Sequence, residues 1–357
     1  MNKNLIALAI AAATFSGAVS AATVYSDDTS SLAIGGRVEA RAQGLNGNIQ
    51  DTSRARVNID AQTKINDDLT AVGFFEHEFK TSQYPGSAED GSENNDFNSA
   101  DGENDYNRYL YVGVKSNTYG QIVYGKADGS LGMLTDFTDI MEYYGNEAGN
   151  KIAAADRTTN NLVYTGVIGG LTVKANYVAN GKTKDSQKNT TGYSFATKYD
   201  FNNGLAAGIG YGQQKNQGAN ENTNLNANQT FASVSYTMGD LYVAGLYQYA
   251  RNVGYLYSTA DTTNTDYQGF SLASSYTINK VVLRSTYNFM ENTDSNNKMA
   301  NALDFDATYF FTSNFRAYAG YTINLLNKAN AEKISGTATP AAYLYDDQFA
   351  LGARYDF

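Results

Sequence analysis

Residues 53–62 read Ser53-Arg54-Ala55-Arg56-Val57-Asn58-Ile59-Asp60-Ala61-Gln62. From Ala55 onward every odd position is apolar and every even position is polar or charged. Successive side chains of a β-strand point to opposite faces of its sheet, so this alternation predicts a strand with one apolar face and one polar face. The same pattern recurs at 281–289, 315–324 and 349–357, which predicts an all-β protein.

The composition agrees with strands and turns. The 357 residues include 29 Tyr, 17 Phe and 33 Gly but only two Pro, and charged residues make up 17%. Aromatic residues and Thr favour strands, and Asn favours turns. The absence of Cys excludes a disulfide framework or a Cys metal site. The net charge of −10, without a basic stripe, argues against nucleic acid as a partner.

The N-terminus has the pattern of a secretory signal peptide. Lys3 supplies a positive charge, 5–15 is an apolar Ala-rich segment, and small residues follow up to Ala21. A transmembrane anchor is the alternative, but a spanning helix needs about 20 apolar residues and this segment is shorter. We therefore expect 1–21 to be removed and 22–357 to form one domain.

Short and long connections take turns along the chain. Long polar loops are predicted near 83–104, 127–156, 181–190, 217–226, 254–264, 291–299 and 327–343, with a shorter loop near 45–50. Tight turns are predicted at 66–68, 117–118, 169–170, 202–203, 238–239, 279 and 312–314. About sixteen strands result, each near the ~9–11 residues that a tilted membrane strand needs. One rim of short turns and one of long loops is typical of a transmembrane β-barrel.

A soluble β-sandwich or propeller is the alternative architecture. Its apolar faces would form a dry core of Leu, Ile and Val. Here the apolar face is rich in Tyr, Phe, Ala and Gly, and the opposite face is strongly polar along most strands. A polar interior and an apolar exterior favour a barrel in a membrane with a water-filled lumen.

The loop at 127–156 differs from the others in carrying many apolar residues and, up to position 147, five carboxylates. Loops of such length inside a compact domain are usually functional. Apolar groups would be exposed to water on an external loop, so we expect this one to fold into the barrel with its apolar side on the wall and its carboxylates toward the lumen. An external loop that makes subunit contacts is the alternative. The carboxylates are Asp128, Asp136, Asp139, Glu142 and Glu147.

Three blocks resemble the general porins of Gram-negative outer membranes, and are closest to the OmpU-type branch. Residues 56–70 are similar to the second strand, turn and third strand of that family. Residues 107–126 are similar to its strands four and five, and 137–145 to its constriction loop. The resemblance runs from about Leu32 to Tyr177 and resumes at the C-terminal strand. It implies a sixteen-stranded homotrimer whose third loop folds inward.

The resemblance also implies which residues narrow the pore. A ladder of basic residues would comprise Arg37, Arg56, Arg108 and Arg157, with Arg54 beside it. It would face carboxylates of the loop, among which Asp139 matches the family position. The second family carboxylate falls at Tyr143, with Glu142 one place earlier, and Asp136 is a further candidate. Glu76 matches a lumen-facing carboxylate on the family's third strand.

The expected function follows from this resemblance. We expect passive diffusion of ions and small hydrophilic solutes across the outer membrane, with a modest preference for cations. Expected partners are outer-membrane lipid, lipopolysaccharide and the barrel-assembly machinery, which reads a terminal aromatic strand such as the one ending Tyr355-Asp356-Phe357. A mere edge strand that ends in Phe is the alternative for that segment. No cofactor or metal is expected.

Three other functions remain open from the sequence: a substrate-specific channel, which usually has aromatic residues along its lumen, a plugged adhesin or receptor, and a barrel hydrolase. A hydrolase of the Ser/His type needs a histidine as base. The single histidine, His77, shares the strand parity of Phe75 and Phe79 and is expected to point outward. No phosphate-binding loop, dinucleotide fingerprint, zinc spacing or calcium loop occurs.

Overall fold

A computed structural model describes residues 21–80, 106–182, 190–215, 226–253, 265–335 and 342–357. These residues form one antiparallel sheet that closes on itself. The strands are β1 Ala22–Ser26, β2 Ser30–Leu45, β3 Asn48–Asp51, β4 Arg54–Lys64, β5 Leu69–Lys80, β6 Tyr106–Ser116, β7 Gly120–Ala127, β8 Thr158–Ile168, β9 Leu171–Gly181, β10 Thr190–Asp200, β11 Leu205–Lys215, β12 Asn226–Met238, β13 Leu241–Val253, β14 Thr265–Ile278, β15 Val281–Asn292, β16 Lys298–Phe310, β17 Phe315–Asn324 and β18 Gln348–Asp356.

These segments occupy sixteen positions around the barrel, because two positions hold two segments each. β3 and β4 both pair with β2, one after the other. β1 and β18 also follow each other along β2, where Ala22 pairs with Ile34 and Asp356 pairs with Arg37. The β18–β2 pairing closes the barrel and brings both ends of the described chain to the same rim. The predicted sixteen-stranded antiparallel barrel is confirmed.

Tight turns join the strands at the rim where both chain ends lie. They fall where the sequence predicts them, for example between β4 and β5 and between β14 and β15. Asn279 has a φ of 54°, a left-handed conformation that Asn tolerates better than most residues. On the opposite rim, Asn46 and Gly47 both have positive φ and join β2 to β3, as a type I′ hairpin turn requires.

The two faces of the barrel differ as the alternation predicts. On β2, Val38 is 56% exposed, whereas its neighbour Glu39 is 1% exposed. The exposed face is apolar around the barrel and includes Val112 and Ile209. Since a water-soluble protein rarely exposes so much contiguous apolar surface, this outer face suits lipid. The polar side chains point inward.

Two predicted loops differ from expectation. The predicted loop at 291–299 is a five-residue connection, because β15 continues to Asn292 and β16 begins at Lys298. The predicted loop at 327–343 contains a helix, α2, at Lys328–Ser335 and a 3₁₀ turn at Ala342–Leu344. The predicted loops at 83–104, 181–190, 217–226 and 254–264 lie wholly or mainly outside the described residues.

The connection from β7 to β8 carries one short helical turn, α1, at Gly132–Thr135, and a 3₁₀ turn at Ala153–Ala155. Residues 128–157 of this connection, called the inward loop below, lie against the inner face of the barrel.

Within the described residues, no helix combines the length and apolar character needed to cross a bilayer.

Candidate functional site: the inner wall and the inward loop

A group of arginines on the inner face of β2 and β4 shares one carboxylate. Glu39 is almost fully buried, and its Oε2 lies 2.5 Å from Arg54 Nε. The same oxygen is 3.8 Å from Arg37 and 3.9 Å from Arg41. Charge-assisted contacts of this kind are strong in a partly desolvated site. Glu39 therefore holds three guanidinium groups in place along the wall.

A second carboxylate, Glu78 on β5, has the same role one strand further on. Arg56 donates its Nε to Glu78. Arg108, Arg54 and Lys80 lie 3.7, 3.8 and 3.8 Å from the Glu78 carboxylate. Arg54 thus contacts both Glu39 and Glu78, so the basic side chains of β2, β4, β5 and β6 form one continuous network. We call this network the arginine wall.

Arg108 reaches the inner face through a β-bulge. Its parity with Leu110, which is exposed on the outer face, would point it outward. The register of β5 and β6 shifts between Glu76 and His77, however, so that one extra residue is inserted on β6. Arg108 and Tyr109 consequently both face inward, and Arg108 Nε lies 2.5 Å from Glu76. The inward position that the family resemblance implies for Arg108 thus depends on this bulge and not on regular alternation.

Arg157, at the end of the inward loop, extends the arginine wall. Its Nε lies 3.1 Å from Asp128, at the start of the same loop. Its guanidinium also lies 4.7 Å from the ring centroid of Tyr109, whose hydroxyl donates to Asp128. Asp128 is therefore a partner of the wall and ties the two ends of the loop together.

The apolar side of the inward loop packs on the opposite part of the wall. Leu131 and Leu134 are fully buried against Phe231 of β12. Gly208 and Gly210 of β11 leave room for them, because an added Cβ would come within 2.6–2.9 Å of a leucine methyl group. Further along the loop, a second apolar group is formed by Phe137, Ile140, Ala244 and Ala273.

Wall side chains also hold the backbone of the inward loop. Gln229 accepts a hydrogen bond from the amide of Ile152 (2.9 Å) and donates to the carbonyl of Asn150 (2.6 Å). Gln248 donates to the carbonyl of Ala148. Buried backbone groups need such partners, so these polar residues have a packing role as well as a place on the inner face. Similar bonds join Tyr242 to Phe137 and Ser233 to Leu134.

Glu142, near the middle of the inward loop, is surrounded by three further arginines. Its carboxylate lies 3.6 Å from Arg284, 3.7 Å from Arg316 and 3.7 Å from Arg354. Burial opposes its ionisation, but Arg316, Arg284 and Arg354 hold the pKa of Glu142 below its usual value. The expectation that Glu142 faces the lumen opposite the ladder is wrong, because these three arginines of β15, β17 and β18 bind it to the wall.

Tyr143, the next residue, contacts β2 and the residue that follows β3. Its hydroxyl lies 3.0 Å from Gln43 Oε1 and 3.1 Å from Thr52 Oγ1. The Arg41 guanidinium lies 4.9 Å from its ring centroid. A tyrosine at the position of a family carboxylate therefore makes a hydrogen bond to the wall.

Asp136 and Asp139 have fewer partners than the other carboxylates of the loop. Asp139 is exposed, and the amide of Asn146 lies 3.5 Å from its carboxylate. Burial and the neighbouring Asp139 raise the pKa of Asp136 to about 7. The loop therefore becomes more negative as pH rises through neutrality.

Glu147 forms a pair of carboxyl groups with Asp304 of β16. Ionisation of both groups would place two negative charges together in a largely buried site, so one of them retains a proton. Burial and the charge of Asp304 raise the pKa of Glu147 to about 8. At neutral pH the pair thus carries a single negative charge.

Comparison with known proteins shows the family of this chain. A family model described as Gram-negative porin matches residues 7–329. The chain belongs to the Gram-negative porin family. Porin-like protein L of Photobacterium profundum is 46% identical, and outer membrane protein U of Vibrio parahaemolyticus is 40% identical. Both alignments cover all of this chain and all of the relative, so this porin lies with the OmpU-type proteins of the outer membrane.

Solved structures support the fold of the porin. Salmonella typhi OmpF in complex with daunomycin has a TM-score of 0.77 at 21% identity, and covers 94% of this chain and 100% of that chain. A trimer form of Vibrio cholerae OmpT has a TM-score of 0.65 at 19% identity, with 92% and 100% covered. The family places a channel, rather than an enzyme, in the Gram-negative outer membrane.

The porin brings the predicted basic residues together but adds partners that sequence reasoning missed. Arg37, Arg54, Arg56, Arg108 and Arg157 are all on the inner face. The residues that were missed as members of the site are Arg41, Glu39, Glu78, Arg284, Arg316 and Arg354. Strand parity places Arg41 on the same face as Arg37, so that signal was available. The contacts of Glu142 depend on strand registers far apart in sequence and carried no local signal.

The remaining predicted residues lie on the outer face. His77 lies between the rings of Phe75 and Phe79, with centroids 6.3 and 4.4 Å away, and its Nδ1 is 2.8 Å from Asn107. Its outward direction agrees with the prediction. Tyr355 and Phe357 are exposed on the outer face of β18 and at its end.

Proposed function

We propose that the porin is a general diffusion pore whose narrowest part lies between the arginine wall and the inward loop. The observation that carries this proposal is the position of the loop. The apolar and backbone contacts of the loop described above lie on β11 to β14, whereas Arg54, Arg56 and Arg108 project from β4 and β6. Polar solutes can orient in the field between such charged walls, while apolar solutes would lose water without compensation.

The pore has a modest preference for cations in this proposal. Glu39 and Glu78 already neutralise much of the charge of the arginine wall. The exposed Asp139, by contrast, has an amide contact and the charge of Lys151 near it but no arginine partner among the ion pairs of the described residues, and the chain carries a net charge of −10. Charged side chains that line a pore set its ion preference. The preference should increase between pH 6 and pH 8, because Asp136 ionises in that range.

Planar bilayers test the proposal directly. The purified porin should give stepwise ohmic currents in KCl, and a salt gradient should give a reversal potential on the cation-selective side that grows from pH 6 to pH 8. An absence of current would contradict a pore and favour a plugged adhesin or receptor. An anion-selective reversal potential would contradict the charge assignment alone.

We also propose a homotrimer. The outer face near the β18–β2 junction includes small side chains, with Ala353 paired to Ala40 and Val38 paired to Ala55. Small residues allow another copy to approach closely, and the OmpT relative has been solved in a trimer form. Unheated samples in detergent should migrate as a trimer that boiling converts to a monomer. Migration of the unheated sample as a folded monomer would contradict this.

Export and assembly complete the proposal. Residues 1–21 act as a cleaved signal peptide, Tyr355 and Phe357 are read by the barrel-assembly machinery, and the outer face contacts lipid and lipopolysaccharide. The start of β1 at Ala22 supports the cleavage position. The exposure of both aromatic side chains supports a contact with an external partner.

A further inference from the structure

Three aromatic side chains lie together on the inner face beside the arginine wall. Phe74 and Tyr111 stack with ring centroids 5.5 Å apart and planes inclined by 29°. Tyr109 presents its edge to both, at 5.7 Å from Phe74 and 6.4 Å from Tyr111. All three side chains remain partly exposed. We call Phe74, Tyr109 and Tyr111 the aromatic platform.

Aliphatic side chains support the aromatic platform from one side. Tyr111 packs against an apolar cluster that includes Val72, Val123 and Val163 on neighbouring strands. The inner face is therefore apolar over four adjacent strands at this level. Apolar surface that stays accessible on an otherwise polar wall commonly marks a binding site.

The aromatic platform and the arginine wall are adjacent. The guanidinium of Arg108 lies 5.8 Å from the Tyr109 ring centroid, and that of Arg157 lies 4.7 Å from it. Phe74 precedes Glu76, the partner of Arg108, by two residues on β5. Two residues of a strand span about 6.6 Å, so Phe74 and the Glu76–Arg108 ion pair are neighbours on the inner face.

We propose that Arg108 and the aromatic platform form a binding site for small aromatic carboxylates within the pore. A carboxylate at Arg108 leaves an attached ring at the level of Phe74 and Tyr111. Ring-to-ring contact adds to the burial of apolar area, so an aromatic ring binds better than a saturated ring of similar size. The site rests on the proposed function, since it requires an open lumen.

Blockade of the KCl current in planar bilayers tests the site. Phenylacetate is compared with cyclohexylacetate, which has the same charge and similar bulk without an aromatic ring, and with acetate. Phenylacetate should block at a concentration about twofold to tenfold lower than cyclohexylacetate, and acetate should be weakest. Phe74→Leu and Tyr111→Leu should each remove the difference between phenylacetate and cyclohexylacetate.

Phe270→Leu is the matched control. Phe270 belongs to a similar group of rings on the outer face, 5.7 Å from Tyr287 and 5.6 Å from Phe289. Phenylacetate and cyclohexylacetate should block the KCl current of Phe270→Leu at the same concentrations as they block the current of the unaltered porin. Equal blockade by phenylacetate and cyclohexylacetate in the unaltered porin, or an unchanged difference in both platform variants, would reject the site while the pore stands. A protein that carries no KCl current would reject both.

Discussion

The carboxylate of Glu142 lies 3.6 Å from the guanidinium of Arg284, well inside the barrel. Glu142 belongs to the inward loop and Arg284 to β15. This ion pair therefore joins the loop to a strand near the C-terminal end of the barrel. Arg316 and Arg354 extend this contact to β17 and β18. The loop is thereby attached to both the middle and the end of the chain.

Glu142→Gln should loosen the inward loop and destabilise the barrel. The substitution removes the carboxylate that three arginines share. Arg284 keeps Asp306, and Arg316 and Arg354 keep Asp356, so the cost should be smaller than the about 3–5 kcal/mol of a buried charge left without any partner. The folded band should convert to the unfolded band at a lower temperature in detergent, and the open-channel current should become noisier.

Glu332→Gln in α2 makes the same chemical change outside the loop and is the control. It should leave both the conversion temperature and the current noise unchanged. An unaltered conversion temperature for Glu142→Gln would mean that the three arginines do not depend on Glu142.

Two substitutions should move the ion preference in opposite directions. Asp139→Asn removes an exposed negative charge from the loop, so the reversal potential should shift toward anions. Arg56→Ala removes a positive charge from the arginine wall and leaves Glu78 with fewer partners, so it should shift toward cations. Unchanged reversal potentials in both variants would place these residues away from the narrowest part of the pore.

The alternation of polar and apolar residues was sufficient to predict the barrel. A strand has a side-chain period of two, so each strand specifies its own inner and outer face without reference to its neighbours. Arg37, Arg54 and Arg56 could be placed inside on that basis. The apolar content of the inward loop likewise predicted that it packs on a wall.

Contacts that depend on register could not be predicted locally. The bulge at Arg108 breaks the alternation of β6 without a Gly or Pro to mark it, so the family resemblance, and not the strand pattern, is what places Arg108 inside. The arginines around Glu142 come together only when β15, β17 and β18 are in register. Phe74, Tyr109 and Tyr111 do follow the regular alternation of their strands, but their contact as an aromatic platform depends on the pairing of β5 with β6.

The pair formed by Glu147 and Asp304 should make the barrel less stable at alkaline pH. The pKa of Glu147 is raised to about 8, so the folded state binds a proton that the unfolded state releases near pH 4.5. Stability from this group is present below pH 4.5 and is lost as pH rises through about 8. The temperature of unfolding in detergent should therefore fall from pH 6 to pH 9.

Glu147→Gln should reduce this dependence, because an amide keeps a hydrogen-bond donor at every pH. Glu332→Gln is again the control and should retain the dependence of the unaltered porin. If Glu147→Gln and the unaltered porin lost stability equally between pH 6 and pH 9, the shared proton would not be the cause.

Gly36 should be required for closure of the barrel. The amide and carbonyl of Gly36 pair with the backbone of Phe357 at 2.9 and 3.0 Å. A Cβ at Gly36 would lie 2.2 Å from the carbonyl oxygen of Arg56 and 2.8 Å from Cζ of Phe357. The first contact is with backbone and cannot be relieved by a side-chain rotation, so β2 would have to move away from β4 or from the C-terminus.

Gly36→Ala should therefore lower the fraction of chains that reach the folded, heat-modifiable form, with a cost of about 1–3 kcal/mol typical of overpacking. Gly73→Ala on β5 is a matched control, since a Cβ there meets no atom within 4 Å. Gly36→Ala combined with Phe357→Leu separates the two contacts, because the shorter side chain relieves only the clash with the ring. Partial recovery in the double variant would assign part of the defect to Phe357, whereas an unchanged defect would assign it to the backbone of β4. Equal folding of Gly36→Ala and Gly73→Ala would show that the closing junction tolerates the extra atom.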